Sequence, residues 1–299
     1  ADTTTWDQLL GDSITRRLVK EHNRPNLSVW RQLVSNIETI NDFRTQRIGR
    51  MGGYGTLPAV LQGAPYQPLT TPGDEESTYA LTKRGGTEDL TLEAIANDDL
   101  RVIRQIPVKL GLAAAQRLYR FVLDMIATNP TMTYDSVALF AAGHSNTDAA
   151  SALAQATLSV GRRKMRRQAS FGDTSDILSI VPKFLLVPSD LEEIAFQLAT
   201  SAVAITSNSD ATIPNLHQGL EPIVVDYWTD TNDWFLEADP TMHPTIEIGF
   251  YQGRQDPELF VQDDPTTGSV FTADKITWKI RHIYSGTVLD HRGFYRGQG

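Results

Sequence analysis

The spacing of apolar residues divides the chain into four stretches: a sparse opening, a segment dense in helix breakers, one long helical pattern, and a half where helix and strand patterns alternate. Up to about Asn41, apolar residues stand singly in polar surroundings. Their i, i+3, i+4 spacing predicts helices over Thr5–Lys20 and Ser28–Ile40. Met51–Ser77 contains Gly52, Gly53, Gly55, Gly63 and Gly73 together with Pro58, Pro65, Pro68 and Pro72. No helix survives that density of breakers. A structureless stretch this long is rare inside a compact domain and reads as a projecting loop or a linker. Two strands, Thr78–Lys83 and Asp89–Glu93, are predicted after it, around a turn at Arg84-Gly85-Gly86.

Asn97–Thr128 carries the longest helical pattern. Asn97 is a good N-cap, and Asp98 and Asp99 follow in the first turn, where the helix dipole favours anions. Leu100, Ile103, Leu110, Ala114, Leu118, Phe121 and Met125 fall on one face. Pro107 should kink or restart the helix, and Asn129-Pro130 ends it. Further on, Leu158, Gly161, Met165 and Ala169 form a helical stripe. Lys183–Val187 reads as a short buried strand. Ser189 and Glu192 suggest a capping box before a helix with Leu191, Ile194, Ala195, Leu198 and Ala202 on its core face. Pro222–Asp226, Trp234–Glu237 and Thr245–Tyr251 read as strands, and Ile276–Tyr284 alternates cleanly between two faces.

Composition narrows the function classes. The chain has 299 residues, 40% of them hydrophobic, enough to bury a real core. It has no cysteine, so disulfides, thiolate nucleophiles, zinc ribbons and iron–sulfur clusters are excluded. No apolar run approaches the roughly 18 residues of a membrane span. No secretory pattern opens the chain, and Ala1 fits either methionine removal or cleavage from a longer precursor.

The net charge of −9 is unevenly spread. Residues 1–50 carry 8 basic and 6 acidic side chains; the chain from Gln168 onward carries 7 basic and 19 acidic. Between them lies a basic cluster, Arg162, Arg163, Lys164, Arg166 and Arg167. Such asymmetry suggests head-to-tail contacts between copies, or a face turned to an anionic partner. The bland alternative is a solvated helix face.

Candidate chemistry is sparse. None of the six histidines forms a His-Glu-x-x-His or His-x-His pattern, so no metal site is expected. The pairs Asp98-Asp99, Asp263-Asp264 and Asp290-His291 read best as turns and helix starts. Gly143-His144-Ser145-Asn146 lacks the Gly-x-Ser-x-Gly elbow of a nucleophile. Met51-Gly52-Gly53-Tyr54-Gly55 is neither a P-loop nor a dinucleotide fingerprint; its glycines suit a strand that twists into a projecting loop. No catalytic residue, metal or cofactor is expected.

Several ordered segments carry a family resemblance. Tyr79-Ala80-Leu81-Thr82-Lys83-Arg84-Gly85-Gly86 leads into Leu90-Thr91-Leu92-Glu93-Ala94-Ile95-Ala96-Asn97. Ala138-Leu139-Phe140 and Gly143-His144-Ser145-Asn146 follow the long helix. Phe184-Leu185-Leu186-Val187-Pro188, Trp234-Phe235-Leu236-Glu237-Ala238-Asp239-Pro240, Gly249-Phe250-Tyr251-Gln252-Gly253 and Asp290-His291-Arg292-Gly293-Phe294-Tyr295 come later. Together they resemble the major capsid proteins of tailed bacteriophages with the Hong Kong 97-type fold. The nearest likeness is to the Mu-like major head subunits that are often encoded fused to a prohead protease.

That resemblance implies an α+β fold: an N-terminal arm over 1–41, a lead-in over 42–50, and an extended loop over 51–83. A peripheral domain follows over 84–150 with a spine helix over 97–128, then an axial domain over 151–274, a peripheral return strand over 275–285 and a C-terminal segment over 286–299. The arm and loop bury little alone and should be ordered by neighbouring copies. Expected intersubunit contacts are Tyr54, Leu57, Val60, Tyr66, Tyr79, Lys83 and Arg84 from the loop region, and Trp6, Leu10 and Trp30 from the arm. The basic cluster would face the interior or a neighbour. The implied function is a virion shell of hexamers and pentamers around double-stranded DNA, assembled in the bacterial cytoplasm with a portal and with cement or decoration proteins. Some relatives cross-link lysine to asparagine, and Lys83 is the only lysine of the loop region. The alternatives are an encapsulin-type nanocompartment and, more remotely, a metal-dependent hydrolase.

Overall fold

The computed structural model describes residues 16–69, 72–91, 93, 97, 105–203, 214–262, 264, 266 and 268–299. Two five-stranded sheets dominate it. The first holds β1 (Val34–Ile40), β4 (Thr82–Thr91), β11 (Ile246–Tyr251), β12 (Glu258–Gln262) and β13 (Lys275–Val288). β13 is its axis. The first half of β13 lies between β4 and β12, and the second half pairs with β11, on which β1 lies in parallel. The expected alternation within β13 places Ile280, His282 and Tyr284 inside.

The second sheet runs β5-β14-β10-β8-β9, with β5 (Thr147–Asp148), β8 (Pro182–Pro188), β9 (Glu221–Val225), β10 (Trp234–Ala238) and β14 (Phe294–Gly297). It is buried on both faces, and the two-residue period of the strands sorts its side chains into two cores. Phe184, Leu186, Phe235 and Phe294 join a cluster that also takes in α1 (Ile106–Ala127) and the first sheet. Leu185, Val187, Trp234, Leu236 and Tyr295 join a cluster beneath α2 (Gln155–Arg166) and α3 (Glu192–Thr200). Pro107 stands in the first turn of α1, where its missing N–H costs nothing, so the expected restart is realised as a helix start. Residues 98–104, which the longer spine helix would include, lie outside the described residues.

Three local expectations differ. Ser28–Ile40 is not helical: two short 3-10 turns lead into β1, whose β-branched Val34, Ile37, Thr39 and Ile40 suit a strand, and β11 supplies the ladder. No turn occurs at Arg84-Gly85-Gly86. β4 runs straight through it and pairs with β13 from Lys275 to Tyr284. A Cβ on Gly85 would collide with the Ile280 carbonyl, so that glycine serves close approach rather than reversal. The capping box is absent, because a 3-10 turn at Ser189–Leu191 moves Ser189 away from the start of α3. Ile194 then points outward, and Ala195, Leu198 and Ala199 form the core face. Both sheets also cross the expected divisions at 151 and 274, since β11 and β12 belong with β13 while β5 and β14 complete the second sheet.

Glu237 sits in the middle of β10, fully buried between Phe184 and Phe294 on the adjacent strands. Burial pushes its carboxyl well above the ordinary value of 4.5, so the folded chain holds it neutral. The unfolded chain ionises it near that ordinary value. Its contribution to stability is therefore complete below that pH and is lost as pH rises toward the folded value. Glu237→Gln cannot ionise and is expected to flatten the fall in thermal midpoint between pH 4.5 and 8. A variant whose pH profile parallels the parent would show that the buried carboxyl is already charged and partnered.

Candidate assembly surfaces

The breaker-rich stretch is the tip of a ribbon. β2 (Gln46–Met51) and β3 (Asp74–Tyr79) pair antiparallel and carry the loop between them. At its base the ribbon presses on a small hairpin of β6 (Ala169–Ser170) and β7 (Asp173–Ile177). A Cβ on Gly52 would strike the Phe171 carbonyl, and one on Gly53 would strike the Asp176 carboxylate. The Gly53 N–H donates to the Ser170 hydroxyl at 2.8 Å. These glycines allow two backbones to meet. Beyond the base, Leu57, Leu61 and Tyr66 are 77%, 80% and 88% exposed, and Tyr54 and Val60 are exposed beside them. Exposed apolar side chains gathered on a projection are the composition usual for an interaction surface.

A buried ionic network fastens the ribbon to the C-terminal segment. Arg292 donates to both oxygens of Glu75 at 3.1 Å, to Asp290 at 2.9 Å and to the Ala169 carbonyl at 2.9 Å. Arg50 donates to Glu75 at 2.6 Å and pairs with Asp290. His243 Nε2 lies 3.3 Å from Asp290. Burial alone would raise the Asp290 carboxyl, but the His243 bond and the Arg50 and Arg292 charges hold it well below the usual carboxylate range.

The basic cluster lies on α2. Lys164 is neutralised by Asp148 at 2.7 Å, and Arg162 donates to the Leu216 carbonyl at 3.2 Å. Arg163, Arg166 and Arg167 are exposed and make no ion pair among the described residues. Arg163, Lys164 and Arg167 rim a concavity of about 590 Å³ whose inner wall includes His144, His291 and Arg292.

Beside it is a cluster that the sequence did not predict: Asp135, His144 and His291, with ligand-type atoms within 4.8 Å of one another. His144 Nδ1 meets the Leu139 carbonyl at 3.0 Å, and its Nε2 meets Asp135 at 2.7 Å, so both ring nitrogens face acceptors. Its ring stacks on His291 with centroids 3.7 Å apart and planes 8° from parallel. Lone pairs in parallel stacked planes do not converge on one ion at the ~2.0–2.1 Å a zinc–nitrogen bond requires. The arrangement suits a proton between His144 and Asp135 rather than a metal. Excess chelator is therefore expected to leave the thermal midpoint unchanged within about 1 °C, whereas a drop of several degrees would restore the metal reading. With both nitrogens of His144 engaged, no ring nitrogen of it is left to serve Ser145 as a base.

The expected contact residues part company. Tyr54, Leu57, Val60 and Tyr66 stand on the exposed loop, and Lys83 is exposed with its ammonium 5.0 Å from the Phe43 ring. Three others serve this chain's own core instead. Trp30 is buried against Phe250. Tyr79 is buried and donates to Glu247 at 2.9 Å. The Arg84 guanidinium lies 4.6 Å from the Phe121 ring and 4.2 Å from the Tyr284 ring. Trp6 and Leu10 lie outside the described residues.

A family model described as "Phage capsid protein" matches residues 74–297. Among solved structures, the chain is similar to the capsid of an empty GTA particle at 10% identity, with a TM-score of 0.58 over 92% of this chain and 90% of that one. It is similar to the capsid of cyanophage P-SCSP1u at 10% identity, with a TM-score of 0.56 over 90% and 87%. It is also similar to a chain of Mycobacterium phage Bobi at 13% identity, with a TM-score of 0.55 over 90% and 89%. Identities this low carry the fold alone. No curated protein matches the sequence.

Proposed function

This chain belongs to the phage capsid protein family, and from that premise we propose that its copies assemble as hexamers and pentamers into the icosahedral head of a tailed phage around double-stranded DNA. The branch we infer is the Hong Kong 97-type, Mu-like one. In that layout the first sheet and α1 form the peripheral region, and the second sheet with α2 and α3 forms the axial region. The ribbon is the extended loop, reaching a neighbour through Tyr54, Leu57, Val60, Tyr66 and Lys83. The particle would form in the bacterial cytoplasm with a portal and decoration proteins. Among the described residues, no helix is long and apolar enough to cross a membrane. The role is structural: His144 and Asp135 engage each other rather than a nucleophile. The family match favours a phage shell over a cellular nanocompartment.

The observation that carries this reading is the loop at residues 52–69. It displays Leu57, Leu61 and Tyr66 to solvent while its base is fixed by buried ion pairs. A surface so apolar on a rigid stem needs a partner. Amide exchange should be fast across the loop in the dissociated chain and slower on the order of tenfold or more in assembled particles. Strong protection in the dissociated chain, or no change on assembly, would remove the loop from the contact.

A further inference from the structure

The basic concavity beside α2 and the outer face of α3 lie toward opposite edges of the same sheet. α2 packs on β14 and α3 on β8 and β9. In the order β5-β14-β10-β8-β9, β14 and β9 are three strand spacings apart, about 14 Å. On the β14 side, every charged side chain lining the concavity is a cation or a histidine, and no carboxylate lines it among the described residues. Arg163 and Arg167 are four residues apart on one helix face, an unfavourable like-charge pair unless an anion bridges them. The α2 dipole favours cations at its last turn. Lys164 is paired with Asp148 and Arg292 with Glu75 and Asp290, so Arg163 and Arg167 are the lining cations that make no ion pair among the described residues.

His291 adds a neutral ring to the wall. It is buried, and burial lowers its pKa to about 3, so the ring is neutral. The Tyr134 hydroxyl lies 2.6 Å from its Nδ1 and accepts the His291 backbone N–H. The lining thus combines the exposed Arg163 and Arg167 cations with the neutral polar side chains of Ser145, Gln168, Ser170 and Thr174.

The complementary surface is on the same molecule. Asp190, Glu192 and Glu193 at the start of α3 are exposed and make no ion pair among the described residues. Ile194 and Phe196 beside them are 41% and 44% exposed. Ile177 and Leu178 are likewise exposed, and they adjoin the concavity's lining, Ile177 pairing with Ala169 and the Leu178 N–H donating to the Gln168 carbonyl. Each edge thus presents charge next to an apolar pair, with opposite sign.

We propose that the Arg163 and Arg167 concavity of one copy receives the Asp190, Glu192 and Glu193 turn of a second copy, with Ile194 and Phe196 covering Ile177 and Leu178. The contact joins two different patches, so it repeats head to tail and closes a ring when the rotation allows. The apolar pairs decide between this occupant and a nucleic-acid backbone, which gives them nothing to cover. The inference rests on the shell reading above and specifies one interface within it.

The test compares shell yield, by sedimentation and negative-stain microscopy, for Arg163→Glu/Arg167→Glu, for Glu192→Lys/Glu193→Lys, and for the chain carrying all four changes. The substituted side chains are exposed, so each variant should keep the parental circular dichroism and thermal midpoint. Each double reversal is expected to lower yield on the order of tenfold, and the fourfold variant to restore most of it. Parental yield from either double variant, or no recovery in the fourfold variant, overturns the contact. Normal shells that retain less DNA in Arg163→Glu/Arg167→Glu would also overturn it and assign the concavity to phosphate. Absence of shells from the parent chain is a different failure, that of the shell reading itself.

Discussion

Replacing Arg292 with alanine is expected to cost the folded chain about 3–5 kcal/mol, the range for removing one partner from a buried ion pair. The loss would come mainly from what is left behind. Glu75 and Asp290 are both buried, and Arg292 bridges them, with a forked bond to Glu75 and a further bond to Asp290. Arg50 would remain as their only arginine partner. A domain has roughly 5–15 kcal/mol in total, so this single change should lower the denaturant midpoint substantially. Asp290→Asn should act in the same direction above the usual carboxylate range. The depressed folded pKa means the stabilisation is present above the unfolded value and lost as pH falls through the folded one. A change below 1 kcal/mol for Arg292→Ala would mean the network is solvated and does not anchor the ribbon.

Trp30→Ala is expected to cost a similar ~3–5 kcal/mol, the usual range for emptying a buried aromatic site. The comparison is informative because the arm reading predicts otherwise. A tryptophan lying across a neighbour would leave the stability of the dissociated chain within about 0.5 kcal/mol of the parent. Trp30 instead packs with Leu33, Leu118, Val122 and Phe250 in the central core. Equilibrium unfolding of the dissociated chain separates the two outcomes.

What the sequence revealed depended on how local the determining physics was. β8 and α3 were legible because a run of buried apolar residues and a helical repeat sit next to each other in the chain. Pro107 marked the start of α1 because its effect is confined to one turn. β1 was misread: its apolar residues fit a helical spacing, and its strand partner lies some two hundred residues away at β11. β3 was missed as a ribbon strand because Asp74, Glu75 and Glu76 look like solvated loop. Its partners Arg50, on the other strand of the ribbon, and Arg292, more than two hundred residues away, reveal why Glu75 is buried. The same holds for Asp135, His144 and His291, whose spacing matches no motif and whose stacking exists only after folding. The basic cluster was visible at once, but the concavity it rims was not.

The most direct test of the central claim is negative-stain microscopy of the purified chain after gradient sedimentation. Subunits with this fold and a displayed apolar ribbon should appear as closed, faceted particles, with little material left as free chain. A population of discrete small oligomers, unchanged by concentration or salt, would contradict a shell-building role.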